Sequence, residues 1–137
     1  KPVAAAEVKA EASIEAYSAE RLAELRAQNK PVFVNMTAAW CITCLVNERA
    51  VLSTEAVKSG FARARIAYLK GDWTNQDPEI TRLLAQHGRS GVPLYVLYPP
   101  GRGEAVVLPQ ILTENTVLDS LAAFPASTRR ADLVVRP

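Results

Sequence analysis

The stretch Val32-Phe33-Val34-Asn35-Met36-Thr37-Ala38-Ala39-Trp40-Cys41-Ile42-Thr43-Cys44 decides how this chain reads. Its first five residues are β-rich and almost continuously apolar, the pattern of a strand buried on both faces and therefore central in a sheet. A helix is predicted from near Cys41 to about Ala50, so the C-x-x-C pair follows a buried strand and opens a helix. In that context two cysteines read as a thiol and disulfide exchange site. A thiolate in the first helical turn meets free backbone N–H groups and the positive end of the helix dipole, which pull its pKa below the reference of about 8.5. Cys41 is thereby primed to attack. Cys44, almost one turn along the same face, is placed to attack the mixed disulfide and release the reduced substrate.

Upstream, Ser18 caps a helix in which Leu22 and Leu25 share a face, and Asn29-Lys30-Pro31 ends it. Residues 1–16, KPVAAAEVKAEASIEA, offer few large apolar groups to bury and read as a linker. Downstream, the expected elements are a short helix from Ser53 to Phe61 and a buried strand from Arg65 to Leu69, closed by Gly71-Asp72. Asp77-Pro78-Glu79 then opens a helix with an apolar stripe of Ile80, Leu83 and Leu84 and a stop at Gly88. His87 continues that stripe and reads as a helix-end residue near the negative pole of the dipole, not as a ligand. Strands over Leu94–Tyr98 and Ala105–Leu108 flank the turn Pro99-Pro100-Gly101 as an antiparallel hairpin. A last helix, Thr113 to Phe124, puts Val117, Leu118, Leu121 and Phe124 on one side and stops at Pro125. Residues 126–137, with Arg129 and Arg130, read as a solvated tail. The alternation implies parallel pairs with crossover helices and a closing hairpin, hence an α/β fold with a mixed sheet between helices.

With 137 residues, 49% hydrophobic and 22% charged, the chain suits one globular domain, placed at 17–125, rather than two domains, a repeat array or a disordered protein. Sixteen basic against fourteen acidic side chains, net +2, leave no footprint for nucleic acid and no polybasic membrane patch. The longest apolar runs, such as Val92 to Tyr98, fall far short of the roughly 20 residues that cross a bilayer. The chain begins at Lys1 rather than at a methionine, which reads as an excised or processed piece whose signal peptide or membrane segment would lie upstream.

Two cysteines do not make a disulfide scaffold. A purely structural bridge over four residues constrains the unfolded chain by only about 2 kcal/mol. A closed zinc site needs about four ligands, and the only histidine, His87, is all the chain adds to the pair. Two thiolates do suit Cu(I), so a copper-binding module stays open, although the nearest methionine, Met36, lies on the preceding strand. No metal site is assigned.

The buried strand, Trp40-Cys41-Ile42-Thr43-Cys44, the helix and Gly91-Val92-Pro93 before a later strand together resemble the thioredoxin superfamily, over roughly Tyr17 to Phe124. More narrowly, Lys30 to Cys41, Asn47-Glu48, Asp72-Trp73-Thr74 and Gly91-Val92-Pro93-Leu94-Tyr95 are similar to the C-terminal periplasmic domain of the DsbD family of thiol:disulfide interchange proteins. The resemblance implies that Cys41 attacks and Cys44 resolves. It makes Pro93 a cis-proline whose neighbouring backbone, at Val92, aligns a partner strand beside the sulfurs. Trp40 would pack beside the site, the alternative being a plain core aromatic, and Trp73 and Tyr95 would pack the core or the rim.

Glu48 matches a family acid that tunes the cysteines, since a nearby carboxylate disfavours a thiolate; the alternative is an exposed helix residue paired with Arg49 or Lys58. Asn35 departs from the family pattern, in which an aspartate usually stands as a buried proton acceptor. An amide cannot accept a proton at neutral pH, which leaves Glu48 or water as the base for Cys44. The resemblance further implies a protein-disulfide reductase with no cofactor beyond the redox-active Cys41–Cys44 disulfide, monomeric as an isolated domain. Its electron donor would be a membrane-embedded DsbD-type transporter domain fed by cytoplasmic thioredoxin. Its acceptors would be periplasmic disulfide-bearing domains or proteins, and its location the periplasmic part of a larger inner-membrane protein. A free-standing thioredoxin-like periplasmic reductase and an oxidase that introduces disulfides remain open, beside the Cu(I)-binding module.

Overall fold

Val32–Thr37 (β2) is buried along its whole length, as its apolar run requires, and it forms the middle of a five-stranded sheet. The computed structural model describes residues 14–123. In chain order the other elements are β1 (Ile14–Ala16), α1 (Ala19–Ala27), α2 (Ile42–Asn47) continuing into a π-helical segment (Glu48–Leu52), α3 (Glu55–Ala64) and β3 (Ala67–Asp72). They are followed by α4 (Pro78–Gln86), β4 (Leu94–Tyr98), β5 (Val106–Val107) and α5 (Glu114–Ala123). The strand order is β1-β3-β2-β4-β5, with β1, β3 and β2 parallel and β4 and β5 antiparallel to their neighbours. This is the expected mixed α/β sheet in a thioredoxin-like arrangement.

Alternation along β2 divides the core in two. Val32, Val34 and Met36 face Leu25 of α1 and Ile80, Leu83 and Leu84 of α4. Phe33 faces the other way, onto Val51 and Leu52 of the π-helical segment, Phe61 of α3 and Leu121 of α5. Gly60 lets α3 and α5 approach closely, since a Cβ there would stand 2.9 Å from the Leu118 side chain. β2 and β3 end together, Thr37 opposite Asp72, while β4 starts beside them, Leu94 opposite Met36. Residues 38–41, 73–77 and 91–93 therefore meet at one end of the sheet.

Several boundaries differ from the sequence reading. Ile14–Ala16, expected to belong to a linker over 1–16, instead pairs with Tyr68–Lys70 as an edge strand, and the Tyr17 N–H continues to the Lys70 carbonyl at 2.9 Å. The rest of that stretch, and the tail expected over 126–137, lie outside the described residues. The third strand starts at Ala67 rather than Arg65 and runs through Gly71 and Asp72. Arg65 instead takes the left-handed conformation (φ 56°) that ends α3, which runs past Phe61 to Ala64. Thr54, not Ser53, caps that helix, with its hydroxyl accepting the Val57 N–H. The Ser18, Asp77 and Thr113 side chains accept N–H groups of the helices they open. Gly88, at φ +69°, follows α4 and supplies the left-handed turn that a non-glycine residue adopts at a cost.

Candidate active site

Cys41 occupies the N-cap of α2, and its sulfur accepts the Cys44 N–H at 3.1 Å. That donor is one of the first-turn N–H groups that have no partner inside a helix, so it is free to stabilise charge on sulfur. Cys41 and Cys44 are joined as a disulfide, with Cα atoms 5.2 Å apart. Cys41 is 7% exposed and Cys44 is wholly buried, so an incoming group meets Cys41 first. Both pack against Ala38 and the half-buried Val92. The Val92–Pro93 peptide bond is cis, and the Pro93 carbonyl accepts a hydrogen bond from Arg89 Nη1 at 3.2 Å.

Trp40 lies on the surface, 53% exposed, and not in the core. Its indole N–H donates to the Thr74 carbonyl, and its ring lies 6.0 Å from that of Trp73. Trp73 is buried and donates its own indole N–H to the Thr81 hydroxyl at 2.8 Å. Ile42, Leu45 and Val46 of α2 are also exposed, giving the surface beside Cys41 an apolar character.

Asn35 is wholly buried on β2. Its Nδ2 donates to the Tyr68 hydroxyl at 3.0 Å and to Glu48 Oε2 at 3.4 Å, while its Oδ1 has no partner. Glu48 begins the π-helical segment, four residues past Cys44, and its other oxygen lies 3.6 Å from Lys70 Nζ. The alternative of an exposed helix residue paired with Arg49 or Lys58 is therefore corrected: Glu48 is half-buried and turns toward β2 and β3, with Lys70 as its ion-pair partner. A cleft of about 420 Å³, bordered by Ala38, Ala39, Leu45, Glu48, Lys70 and Asp72 among others, opens this carboxylate to solvent. Burial pushes the Tyr68 hydroxyl well above the ordinary tyrosine range, and the Glu48 charge adds to it, against the opposing Asn35 hydrogen bond. His87 sits just past α4, and partial burial, with Arg89 nearby, lowers its pKa.

One structural residue at the site had no role assigned from sequence. Asn47, three residues past Cys44 on the same helical face, is buried and donates Nδ2 to the Tyr95 hydroxyl and to the Gln110 carbonyl, both at 2.8 Å. Its Oδ1 accepts the Leu112 N–H at 3.1 Å, so every polar atom of the amide is used to tie α2 to β4 and to the loop before α5. The signal was its i, i+3 spacing from Cys44, which places a polar residue on the face that the cysteine turns inward. Among the described residues no group of three or more His, Cys, Asp or Glu side chains could hold a metal ion.

A family model described as thioredoxin-like matches residues 13–100. The chain belongs to this thioredoxin-like family. Over 83 residues, 61% of this chain, it is 36% identical to thiol:disulfide interchange protein DsbD 1 of Pseudomonas aeruginosa, and the match spans 14% of that protein. The C-terminal domain of DsbD from Neisseria meningitidis, in its oxidised form, superposes with a TM-score of 0.65 at 20% identity, over 81% of this chain and 98% of that one. A thioredoxin from Thermus thermophilus superposes with a TM-score of 0.63 at 21% identity, over 81% of this chain and 86% of that one. The two structures establish the fold, and the DsbD identity links this chain to a thiol:disulfide interchange protein. Among the described residues no helix is long and apolar enough to cross a membrane.

Proposed function

We propose that this chain is the thiol:disulfide exchange domain of a larger DsbD-like inner-membrane protein, facing the periplasm and acting as a protein-disulfide reductase. The observation that carries the reading is the asymmetry of the pair: Cys41 reaches the surface under an N–H donor, and Cys44 is sealed behind it. The 36% identity to DsbD 1 over 83 residues supports the membrane-linked version. Electrons would arrive from a membrane-embedded donor domain, whose thiols reduce the Cys41–Cys44 disulfide. The Cys41 thiolate then attacks a disulfide of the periplasmic acceptor, forming a mixed disulfide and expelling one acceptor thiolate. Cys44 gives its proton to the Glu48 carboxylate or to water and attacks Cys41 Sγ, which re-forms the internal disulfide and releases the second acceptor thiolate. The exposed Trp40, Ile42, Leu45 and Val46 suit a protein partner rather than a small polar one. The cysteine pair is the redox group, with no further cofactor.

The Cys44→Ala variant tests this directly, because it leaves Cys41 able to attack but removes the release step. Expressed in the periplasm, it is expected to accumulate a Cys41-linked mixed disulfide with a protein partner, and Cys41→Ala none. A trapped membrane donor domain supports the relay, and soluble partners alone support a free-standing reductase. No trapped partner, together with stoichiometric Cu(I) binding, would overturn exchange in favour of a copper module. A potential near about −120 mV would reverse the direction to oxidase, whereas about −230 to −270 mV fits a reductase.

A further inference from the structure

Thr74 stands outside the cysteine pair, yet it holds the two residues that deliver Cys41. Its hydroxyl oxygen accepts the Ala39 N–H at 2.8 Å, and its carbonyl accepts the Trp40 indole N–H at 3.0 Å. Asp72 fixes Thr74 in turn, with Oδ1 accepting both the Thr74 N–H, at 3.0 Å, and the Thr74 hydroxyl proton. Those two hydrogen bonds, the hydroxyl one first, hold the Asp72 carboxyl below its ordinary range. The loop bearing them is anchored at Trp73, whose N–H donates to the Thr37 carbonyl at 2.7 Å, and the Trp40 ring leans on the Trp73 ring. Cys41 then turns back, its N–H donating to the Ala38 carbonyl at 3.1 Å.

We propose that Asp72 and Thr74 are positioning residues of the redox centre, clamping the Ala39–Trp40 turn so that Cys41 Sγ stays within reach of Cys44 Sγ when both are thiols. The inference rests on the exchange reading above. Ring closure by glutathione disulfide forms the Cys41–Cys44 bond and breaks the glutathione S–S bond. Two electrons pass to glutathione, and the two thiol protons leave with the two glutathione thiols. A clamped turn raises the effective concentration of one thiol at the other. Without the clamp, the dithiol form gains conformations that closure must remove, and the disulfide forms less readily.

Wild type, Thr74→Val, Thr74→Ser, Asp72→Ala and Asp72→Asn are to be equilibrated in glutathione buffers, and the oxidised fraction read by alkylation and mass spectrometry. Thr74→Val and Asp72→Ala are expected to lower the closure constant about three- to tenfold, as the loss of one or two modest hydrogen bonds would. Tenfold corresponds to a potential about 30 mV less negative. Thr74→Ser keeps the hydroxyl and Asp72→Asn keeps an accepting oxygen, so both are expected within about twofold of wild type. Thermal melts of the reduced proteins establish that each is folded, and should Thr74→Val not fold, Asp72→Ala carries the comparison. Wild-type closure with unchanged Thr74→Val and Asp72→Ala, or an equal fall in Thr74→Ser, overturns the clamp and leaves the exchange reading standing. A wild-type pair that glutathione disulfide cannot close overturns both.

Discussion

The Asn35 side-chain amide donates to the Tyr68 hydroxyl at 3.0 Å, joining β2 to β3 beneath the turn that carries Glu48. Asn35 is wholly buried, so its amide has no water to fall back on, whereas Tyr68 is half-buried. Tyr68→Phe removes the acceptor and leaves a buried donor with only the longer contact to Glu48. A loss of about 1–2 kcal/mol in urea unfolding is expected. In a double-mutant cycle with Asn35→Ala the two losses should not add, with a coupling of at least about 0.5 kcal/mol; strictly additive losses would mean that the bond contributes nothing.

Restoring the family's acid with Asn35→Asp places a carboxyl in a wholly buried position beside Glu48. Burial and the like charge both raise the pKa of the new group above its unfolded value near about 4. A folded pKa above the unfolded one means that the folded state holds the proton more tightly. The variant's stability, relative to wild type, therefore falls as pH rises from the unfolded pKa through the folded one, and it recovers on acidification. Chemical denaturation of both proteins at pH 5 and pH 8 checks this, with the wider gap expected at pH 8.

Asn47→Ala strips three partners at once, two of them buried: the Tyr95 hydroxyl and the Leu112 N–H, with the part-buried Gln110 carbonyl as the third. A loss of about 2–3 kcal/mol is expected, the scale of a broken buried network. Hydrogen exchange at Leu112 should rise well beyond what the global loss explains, because its N–H loses its own acceptor. Unchanged relative protection there would count against the tie between α2 and the loop before α5.

All four tyrosines are raised above the ordinary value of 10, by burial first of all. Tyr95 and Tyr98 are pushed up to about 12. Phenolate absorbance of the folded protein should therefore develop above pH 10, later than that of the urea-unfolded chain. The sign follows from proton uptake: between pH 10 and 12 the folded state keeps protons that the unfolded state has lost, so stability declines across that window. Tyr95→Phe should make the decline shallower. Absorbance that rises at pH 10 in the folded protein would show these rings to be solvated.

The redox centre was legible because its elements are local. An apolar strand, two cysteines one helical turn apart and a proline before the next strand are each properties of a few consecutive residues. The strongest helix boundaries were legible for the same reason: Ser18, Asp77 and Gly88 act on their own turns. Ile14–Ala16 was not, because three residues with a single large apolar side chain carry no period, and only the free edge of β3 makes them a strand. Nor was the start of β3, since the helix before it ends on Arg65 in a left-handed conformation that any glycine-free stretch conceals.

The partners of the polar residues around the cysteines belong to the tertiary structure. The family resemblance matched Glu48 to a tuning acid and marked Asn35 as a departure. It could not say that the acid meets Lys70 across the sheet, that the amide meets Tyr68, or that Trp40 hangs on Thr74. Sequence by itself determined the α/β class and the C-x-x-C motif at a helix N-terminus, because periodicity and helix-terminus chemistry act over one or two turns. Only the tertiary structure decided which groups surround them, because those contacts join residues 13 to 34 positions apart and exist only once β2 and β3 lie side by side.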